Sequence, residues 1–321
     1  MDAEKINKAV LSLVTENNAD VILYSGPISR PFVDKVIETR NKNQRRENVI
    51  LILCTFGGDP AAGYRIARFL QQNYKRFIVW IDGPCKSAGT LITMGAHEIV
   101  MSDHGEMGPL DIQVGKKDEL WETDSGLTVL SAIKALEEKS FELFESCFLS
   151  LKGRSGGRIT LRTATKLATK LAIGTVSPIV AQIDPMHVGE VTRAMNIGLE
   201  YGKRLTKDAN NSKPDTLQKL INSYPSHDFV IDRHETKDMF ANVREPTDRE
   251  GELIAILSPF ARLPLQETTV FYLSEPLKED EIHENYNEGD NPGGSVACDQ
   301  AVAATPESDT EEGMRAEGGS I

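Results

Sequence analysis

The sequence predicts an α/β protein with a mainly parallel sheet. Three segments with continuous apolar runs, 48–54, 76–81 and 98–101, each begin with one polar residue and alternate with segments of helical spacing. Such runs are typical of strands that are buried on both faces. Their alternation with helices indicates βαβ units with right-handed crossovers. The carboxyl ends of the strands, where ligands bind in such sheets, then meet at one edge.

The first elements follow from local signals. Residues 1–18 have the mixed polarity of a helix, and 20–25 form a β-rich run closed by Gly26-Pro27. A helix over about 31–43 is predicted from its apolar spacing, and the strand at 48–54 follows it. Glycines at 57 and 58 end that strand, and a proline at 60 opens the next helix. The strand at 76–81, a short helix over 87–95 and the strand at 98–101 complete this part.

The second half is mainly helical, with helices expected over 128–151, 160–173 and 185–206. In the first of these, Phe141, Phe144 and Phe148 recur at helical spacing, which indicates a stripe that faces the core. The basic segment 152–158 is expected to be a flexible loop, because it lacks the Gly-Lys-Ser/Thr ending of a phosphate-binding loop. Short strands are expected at 229–231 and, at a sheet edge, 269–273.

The charge is concentrated in the last part of the chain. The formal net charge is −12, and residues 278–321 hold twelve acidic and two basic residues. We therefore expect a helical segment at 1–19, a folded domain over 20–277 and a disordered acidic tail over 278–321. The nearly neutral body lacks the basic face that a nucleic-acid partner requires.

The cysteines predict neither disulfides nor a metal centre. Cys54, Cys85, Cys147 and Cys298 match no metal-binding spacing, so we expect no metal and no cofactor. Reduced thiols are typical of the cytoplasm. The N-terminal residues also lack the apolar core of a secretory signal. A cytoplasmic location is expected on these grounds.

The segment Gly83-Pro84-Cys85-Lys86-Ser87-Ala88-Gly89-Thr90 has the organisation of a nucleophile elbow. A buried strand runs into a tight turn, and Ser87 stands at the start of a helix among small neighbours. Unpaired amides at such a helix start favour an oxyanion. The alternative is that Ser87 is an ordinary N-cap residue.

The segment Thr55-Phe56-Gly57-Gly58-Asp59-Pro60 ends the preceding strand in a second bend. Neighbouring parallel strands bring two such bends together. The backbone amides of Gly58 and Ala88 then form a candidate oxyanion hole. The alternative is a turn without chemical function.

Taken together, 56–60, 87–89, 105–111, 177–185 and 224–233 resemble the serine dehydrogenase proteinase family. That family belongs to the ClpP/crotonase superfamily and is related to signal peptide peptidase A. The resemblance covers roughly residues 20–245. It implies a ClpP/crotonase-like spiral of ββα units, a serine nucleophile at 87, an oxyanion hole at 58 and 88, and a homo-oligomer that acts on peptide or protein substrates. An ATPase or a membrane-associated protein is a possible further partner.

The general base is not fixed by the sequence. The position of the Clp-type histidine, just before Pro109, holds no histidine. His227 is the preferred candidate, with Asp111 or Asp228 to orient its imidazole, since such triads are defined by geometry and not by chain order. His104 is a second candidate, for which an exposed turn histidine is the alternative.

A lysine base is the other possibility, and it requires a desolvated amine. Lys116 and Lys117 follow the Pro-Leu-Asp turn, and Lys86 adjoins the serine in sequence. Lys139 lies among glutamates on a helix, which indicates a solvated face.

Three functions remain open at this stage. The first is a serine peptidase that works through an acyl-enzyme on Ser87. The second is a crotonase-type enzyme whose oxyanion hole holds an acyl-CoA enolate. The third is an oligomeric scaffold of the same fold without catalytic activity.

Overall fold

The computed structural model describes residues 3–42, 46–110, 113–115 and 123–274. Its main sheet has six strands in the order β10-β1-β2-β3-β5-β9. The strands are β1 (Ala19–Ser25), β2 (Asn48–Cys54), β3 (Arg76–Ile81), β4 (Pro84–Cys85), β5 (Glu98–Met101), β6 (Glu106–Met107), β7 (Gln113–Gly115), β8 (Thr123–Ser125), β9 (Val243–Arg244) and β10 (Thr269–Tyr272).

Five of the six sheet strands are parallel to one another, and only the edge strand β10 is antiparallel, pairing with β1. The central strands β2 and β3 are buried on both faces, as their uninterrupted apolar runs predict. The predicted α/β class with a mainly parallel sheet is therefore confirmed.

A second row of short pairings crosses the carboxyl ends of the main strands. Ile28 pairs with Gly58, Thr55 pairs with Cys85, and β4 pairs with β6. Met107 of β6 then pairs with Ile231. Each unit thus consists of a long strand, a short second strand and, in most units, a helix. This is the predicted spiral of ββα units, and it brings five second-row segments side by side.

The helices cover both faces of the sheet. They are α1 (Ala3–Asn17), α2 (Arg30–Lys42), α3 (Pro60–Asn73), α4 (Ala88–Met94), α5 (Gly126–Arg154), α6 (Leu161–Val180), α7 (Pro185–Ala209), α8 (Thr216–Asn222), α9 (Arg233–Met239) and α10 (Asp248–Ala261). On one face α2, α3 and α4 pack against the sheet, and on the other face α1 and α10 do so. The strands are therefore buried between two apolar layers.

Several predictions about the second half are wrong. Phe141 is 68% exposed, and Phe144 and Phe148 are only half-buried, so the aromatic stripe does not face a core. Residues 152–154 continue α5 instead of forming a loop, and only 155–157 form a turn. Residues 229–231 form no strand, although one of them makes an isolated bridge.

The predicted tail, 278–321, lies outside the described residues. Within the part of the chain that the structure describes, no helix is both long and apolar enough to cross a bilayer.

Candidate active site

Ser87 lies at a strained elbow between β4 and α4. Its φ and ψ angles are 49° and −110°. A non-glycine residue adopts a positive φ only at a cost, which is typical of functional turns. The hydroxyl does not cap α4. Ser87 therefore has the backbone geometry of a nucleophile elbow and not the bonding of an ordinary N-cap serine.

The Gly57-Gly58 bend packs directly against this elbow. A Cβ atom added to Gly57 would lie 2.8 Å from the Cβ of Ser87 and 3.3 Å from its Oγ. Gly57 also has a φ of 122°, which side chains other than hydrogen disfavour. The absence of a side chain at Gly57 is therefore what lets the backbone of the bend approach the serine hydroxyl.

The orientation of Gly58 follows from its neighbours' hydrogen bonds. The carbonyl of Gly57 accepts from the amide of Ile28, and the amide of Asp59 donates to the carbonyl of Ile28. Backbone groups of successive extended residues point to opposite sides. The N–H of Gly58 is thus directed away from Ile28, toward the neighbouring segment that holds Ser87.

The amides of Gly58 and Ala88 donate to no acceptor in the described part of the chain. Nearly all buried amides in proteins have a partner. Ala88 is almost fully buried, while Gly58 is partly exposed. The two amides on either side of Ser87 thus have the donors that a two-point oxyanion hole requires.

Thr55 joins the bend to β4, and Thr90 joins the elbow to the Gly108 segment. The amide of Thr55 donates to the Pro84 carbonyl over 2.7 Å, and its hydroxyl accepts from the Gly57 amide over 3.0 Å. The Thr90 hydroxyl lies 2.8 Å from the carbonyl of Gly108 and 3.1 Å from that of Cys85. Because both threonines are fully buried, these bonds set the spacing of the segments.

The buried amine of Lys86 connects two segments near the site, a role that the sequence alone does not predict. Its side chain is 6% exposed, and its Nζ lies 3.3 Å from the Glu106 carboxylate. The same Nζ donates to the carbonyls of Met107 (3.4 Å) and Phe229 (3.3 Å). These three acceptors match the three donors of an ammonium group. Lys86 thus joins β6 to the 223–230 segment.

His227, the preferred base, lies on the segment that Lys86 holds. The segment is fixed at one end by the pairing of Ile231 with Met107, whose two bonds are both 2.9 Å long. The rings of Tyr224 and Phe229 contact each other within it in a tilted arrangement, with centroids 5.0 Å apart. His227 itself is half-buried. The loop that holds His227 is therefore bonded to β6. β6 in turn pairs with β4, the strand that leads to Ser87.

Two other candidate bases are exposed, and the remaining candidates lie outside the described residues. His104 is exposed in the turn after β5. Lys139 is exposed on α5, where a hydrogen bond from its amine to Glu142 raises its pKa, the opposite of what a base requires. Asp111, Lys116 and Lys117 lie outside the described residues.

The cysteine next to the site is not placed for nucleophilic chemistry. Cys85 is fully buried, and burial raises the pKa of its thiol to about 12. The thiolate, which is the reactive form, is therefore scarce near neutral pH. Among the described residues, no three His, Cys, Asp or Glu side chains are placed to hold a metal ion.

Comparisons with known proteins give distant relatives. No model of a protein family matches the chain. It is 28% identical over 190 residues to uncharacterized protein MJ1495 of Methanocaldococcus jannaschii, over 54% of this chain and 56% of that protein. It is 21% identical over 282 residues to uncharacterized protein MJ0137 of the same organism, over 87% of this chain and 82% of the relative.

The chain thus spans about half the length of the first of these relatives. Among solved structures, a mutant of a 1510-N membrane-bound stomatin-specific protease aligns with 71% of this chain and 95% of that one. The identity is 18% and the TM-score is 0.29. Function is therefore inferred below from the geometry around Ser87.

Proposed function

We propose that this chain is a serine hydrolase that cleaves peptide bonds through an acyl-enzyme on Ser87. The observation that carries the proposal is the close approach of the Gly57 backbone to the Ser87 side chain. A Cβ atom added to Gly57 would lie 2.8 Å from the Cβ of Ser87. If the bend lay elsewhere, the Gly58 amide would not be near Ser87 to stabilise the oxyanion that forms on the substrate. The positive φ of the serine supports the same role.

In the proposed reaction, the Oγ of Ser87 attacks the substrate carbonyl while a base takes its proton. The amides of Gly58 and Ala88 hold the oxyanion of the tetrahedral intermediate. The leaving amine departs with a proton, and water then hydrolyses the ester to release the acid and restore the serine. His227 is the proposed base, and Asp111 remains the predicted partner of its imidazole.

Peptide chains are the proposed substrate because an exposed apolar side chain lies beside the nucleophile and can contact a substrate residue. Phe56, beside the bend, is 45% exposed and offers an apolar contact next to the nucleophile. An extended substrate that contacts Phe56 presents its carbonyl next to Ser87 in this proposal.

The test is hydrolysis of an unfolded, fluorescently labelled protein and of a small activated ester by the full chain. We expect Ser87→Ala to reduce both rates by at least about 1,000-fold, since removal of a nucleophile leaves only residual catalysis. Thermal unfolding of the variant checks that the fold is kept.

His227→Ala separates the base from the nucleophile. Loss of a general base lowers turnover by about 100- to 10,000-fold. Full activity of Ser87→Ala would contradict the proposed nucleophile, whereas full activity of His227→Ala alone would contradict only the choice of base.

A further inference from the structure

The end of α5, the turn after it and the first half of α6 form a local concentration of positive charge. From residue 146 to residue 183 the chain contains six basic residues and no acidic one. Five of the six side chains are exposed, and we call them the basic stripe: Arg154, Arg158, Arg162, Lys166 and Lys170. A cluster of like charges on a nearly neutral body indicates a surface for an anionic partner.

The basic residues of α6 point away from the rest of the fold. The buried residues of α6 are Ala164, Ala168 and Ala172, and this helix packs along α5. Each basic residue of α6 stands two positions before one of these alanines. Two residues correspond to about 200° around an α-helix. The three cations therefore lie on the face opposite the packed one, where a partner can reach them.

The charge of the basic stripe is not neutralised within the described part of the chain. None of its five side chains forms an ion pair with a described carboxylate, whereas Arg68 pairs with Asp208 and Arg244 with Glu250. Like charges four residues apart on a helix repel each other. An anionic group that lay along the stripe would remove this repulsion and gain several ion pairs.

The same chain contains an acidic segment that matches the stripe. Residues 278–321 hold twelve acidic and two basic residues. Four of the acidic residues fall within the six positions 307–312, without a basic residue among them: Glu307, Asp309, Glu311 and Glu312. The acidic segment 307–312 therefore has nearly as many negative charges as the basic stripe has positive ones.

The chain beyond the described fold is long enough for this contact. Ser274 is the last described residue, and Glu307 follows 33 positions later. A stretch of that length spans up to about 110 Å when it is fully extended. For comparison, α5 has 29 residues and is about 44 Å long. Chain length therefore does not prevent the acidic segment from reaching the stripe.

We propose that the acidic segment 307–312 docks on the basic stripe of the same chain. A single exposed ion pair contributes only about 0.2–1 kcal/mol. A segment of the same chain, however, is present at an effective concentration on the order of a millimolar, so several weak pairs are sufficient to hold it. The docked segment occupies the stripe and excludes other anions from it.

Zero-length crosslinking of the full chain with a carbodiimide tests the contact, because this reagent joins an amine directly to a neighbouring carboxylate. Mass spectrometry of the peptides identifies the joined residues. We expect crosslinks from Lys166 or Lys170 to the acidic segment 307–312. These crosslinks should be lost at about 1 M salt, where the Debye length is about 3 Å. In a mixture of nitrogen-15-labelled and unlabelled chains, each crosslink should join two peptides with the same label.

Reversal of the three arginines of the stripe weakens the contact but keeps every group that the reagent joins (Arg154→Glu, Arg158→Glu and Arg162→Glu). We expect the crosslinks of Lys166 and Lys170 to the acidic segment to fall by at least about tenfold, because three attractions become repulsions. The matched control reverses three exposed cations outside the stripe and should keep the crosslinks (Lys8→Glu, Lys35→Glu and Arg193→Glu).

A compensating change in the acidic segment should restore the contact. When Glu307→Lys and Asp309→Lys are added to the reversed stripe, we expect new crosslinks between positions 307–309 and positions 154–162. All substituted stripe residues are exposed, and thermal unfolding checks that each variant keeps its fold.

Three results would overturn the docking: no crosslink between the stripe and 307–312 in the unchanged chain, equal crosslinks in the stripe variant and the control, or crosslinks only between labelled and unlabelled chains. An unchanged chain that lacks these crosslinks and pellets with anionic lipid vesicles would instead assign the stripe to a membrane surface. None of these measurements depends on hydrolysis by Ser87, so a failure here is distinguishable from a failure of the proposed function.

Discussion

At the scale of single residues, the site depends on what two glycines lack. Gly57 lies against the Ser87 side chain, and an added Cβ at Gly58 would lie 2.2 Å from the carbonyl oxygen of Ile28. Both have φ angles that are unfavourable for other residues, 122° and 138°. The Ser87 side chain and the neighbouring amides therefore hold their positions only while these residues remain glycine.

Gly57→Ala tests this requirement. The added methyl group would displace the Ser87 side chain from the bend, because their Cβ atoms would otherwise lie 2.8 Å apart. We expect ester hydrolysis to fall by about 100-fold or more, the scale of losing one oxyanion donor. Gly189→Ala is the control, since nothing lies within 4 Å of an added Cβ there, and it should retain full activity. Equal activity of the two variants would contradict the close approach.

The sequence predicted the elbow but not its supports. The spacing of Gly57, Gly58 and Ser87 at the ends of neighbouring strands was sufficient to predict a convergence of the two bends. From the sequence, Lys86 is only the neighbour of Ser87 along the chain. It precedes α4, however, and its side chain turns inward between β6 and the 223–230 segment. That direction depends on contacts with residues about 20 and 140 positions away, which no local pattern reports.

At the scale of elements, the second row of short strands links the parts of the site. Ile28, the bend, the elbow, β6 and Ile231 follow one another across the ends of the main strands. Lys86 reinforces the last of these links through three acceptors. The position of the His227 loop relative to Ser87 thus depends on the Lys86 side chain.

Lys86→Met tests whether the Lys86 amine holds the 223–230 segment against β6. The substitution keeps the apolar stem but removes this donor from the Phe229 carbonyl and the Glu106 carboxylate, while the Met107 carbonyl keeps its bond from the Ile231 amide. Each unsatisfied buried group costs about 1–3 kcal/mol. We expect faster hydrogen exchange in 223–231 and a turnover at least about tenfold lower. Lys203→Met, which removes an exposed lysine paired with Glu200, should change neither. Unchanged hydrogen exchange in residues 223–231 would contradict this role of Lys86.

The helical half of the chain shows where pattern reading fails. The period of Phe141, Phe144 and Phe148 correctly predicted a helix, but the same period is expected for a core stripe and for an interface stripe. The structure leaves that face exposed. Amphipathic spacing indicates that a helix has an apolar face. It does not indicate whether that face packs against another element of the same chain.

At the scale of the whole molecule, one buried carboxylate joins the sheet to its surroundings at the start of β1. Asp20 is 1% exposed. It accepts a hydrogen bond from the Tyr74 hydroxyl over 2.8 Å and pairs with Arg46 over 3.3 Å. Burial and the hydrogen bond to Asp20 raise the pKa of Tyr74 above its usual range. The tyrosine therefore remains a neutral donor to the carboxylate at neutral pH.

Asp20→Ala is expected to lower the free energy of unfolding by about 2–4 kcal/mol, because it leaves a buried hydroxyl and a cation without a partner. Chemical denaturation at neutral pH measures the loss. Asp34→Ala, which removes an exposed carboxylate 3.5 Å from Arg65, should cost no more than about 0.5 kcal/mol. A similar small cost for both variants would show that the Asp20 cluster does not stabilise the sheet.

The most direct test of the central claim is labelling of the folded chain with a fluorophosphonate, followed by mass spectrometry of the peptides. A serine activated beside an oxyanion hole becomes phosphonylated, whereas ordinary serines do not react. We expect one adduct on Ser87 that is absent in Ser87→Ala and much reduced in Gly57→Ala. An unlabelled Ser87, or an adduct on another serine that persists in Ser87→Ala, would contradict the assignment of Ser87 as the nucleophile.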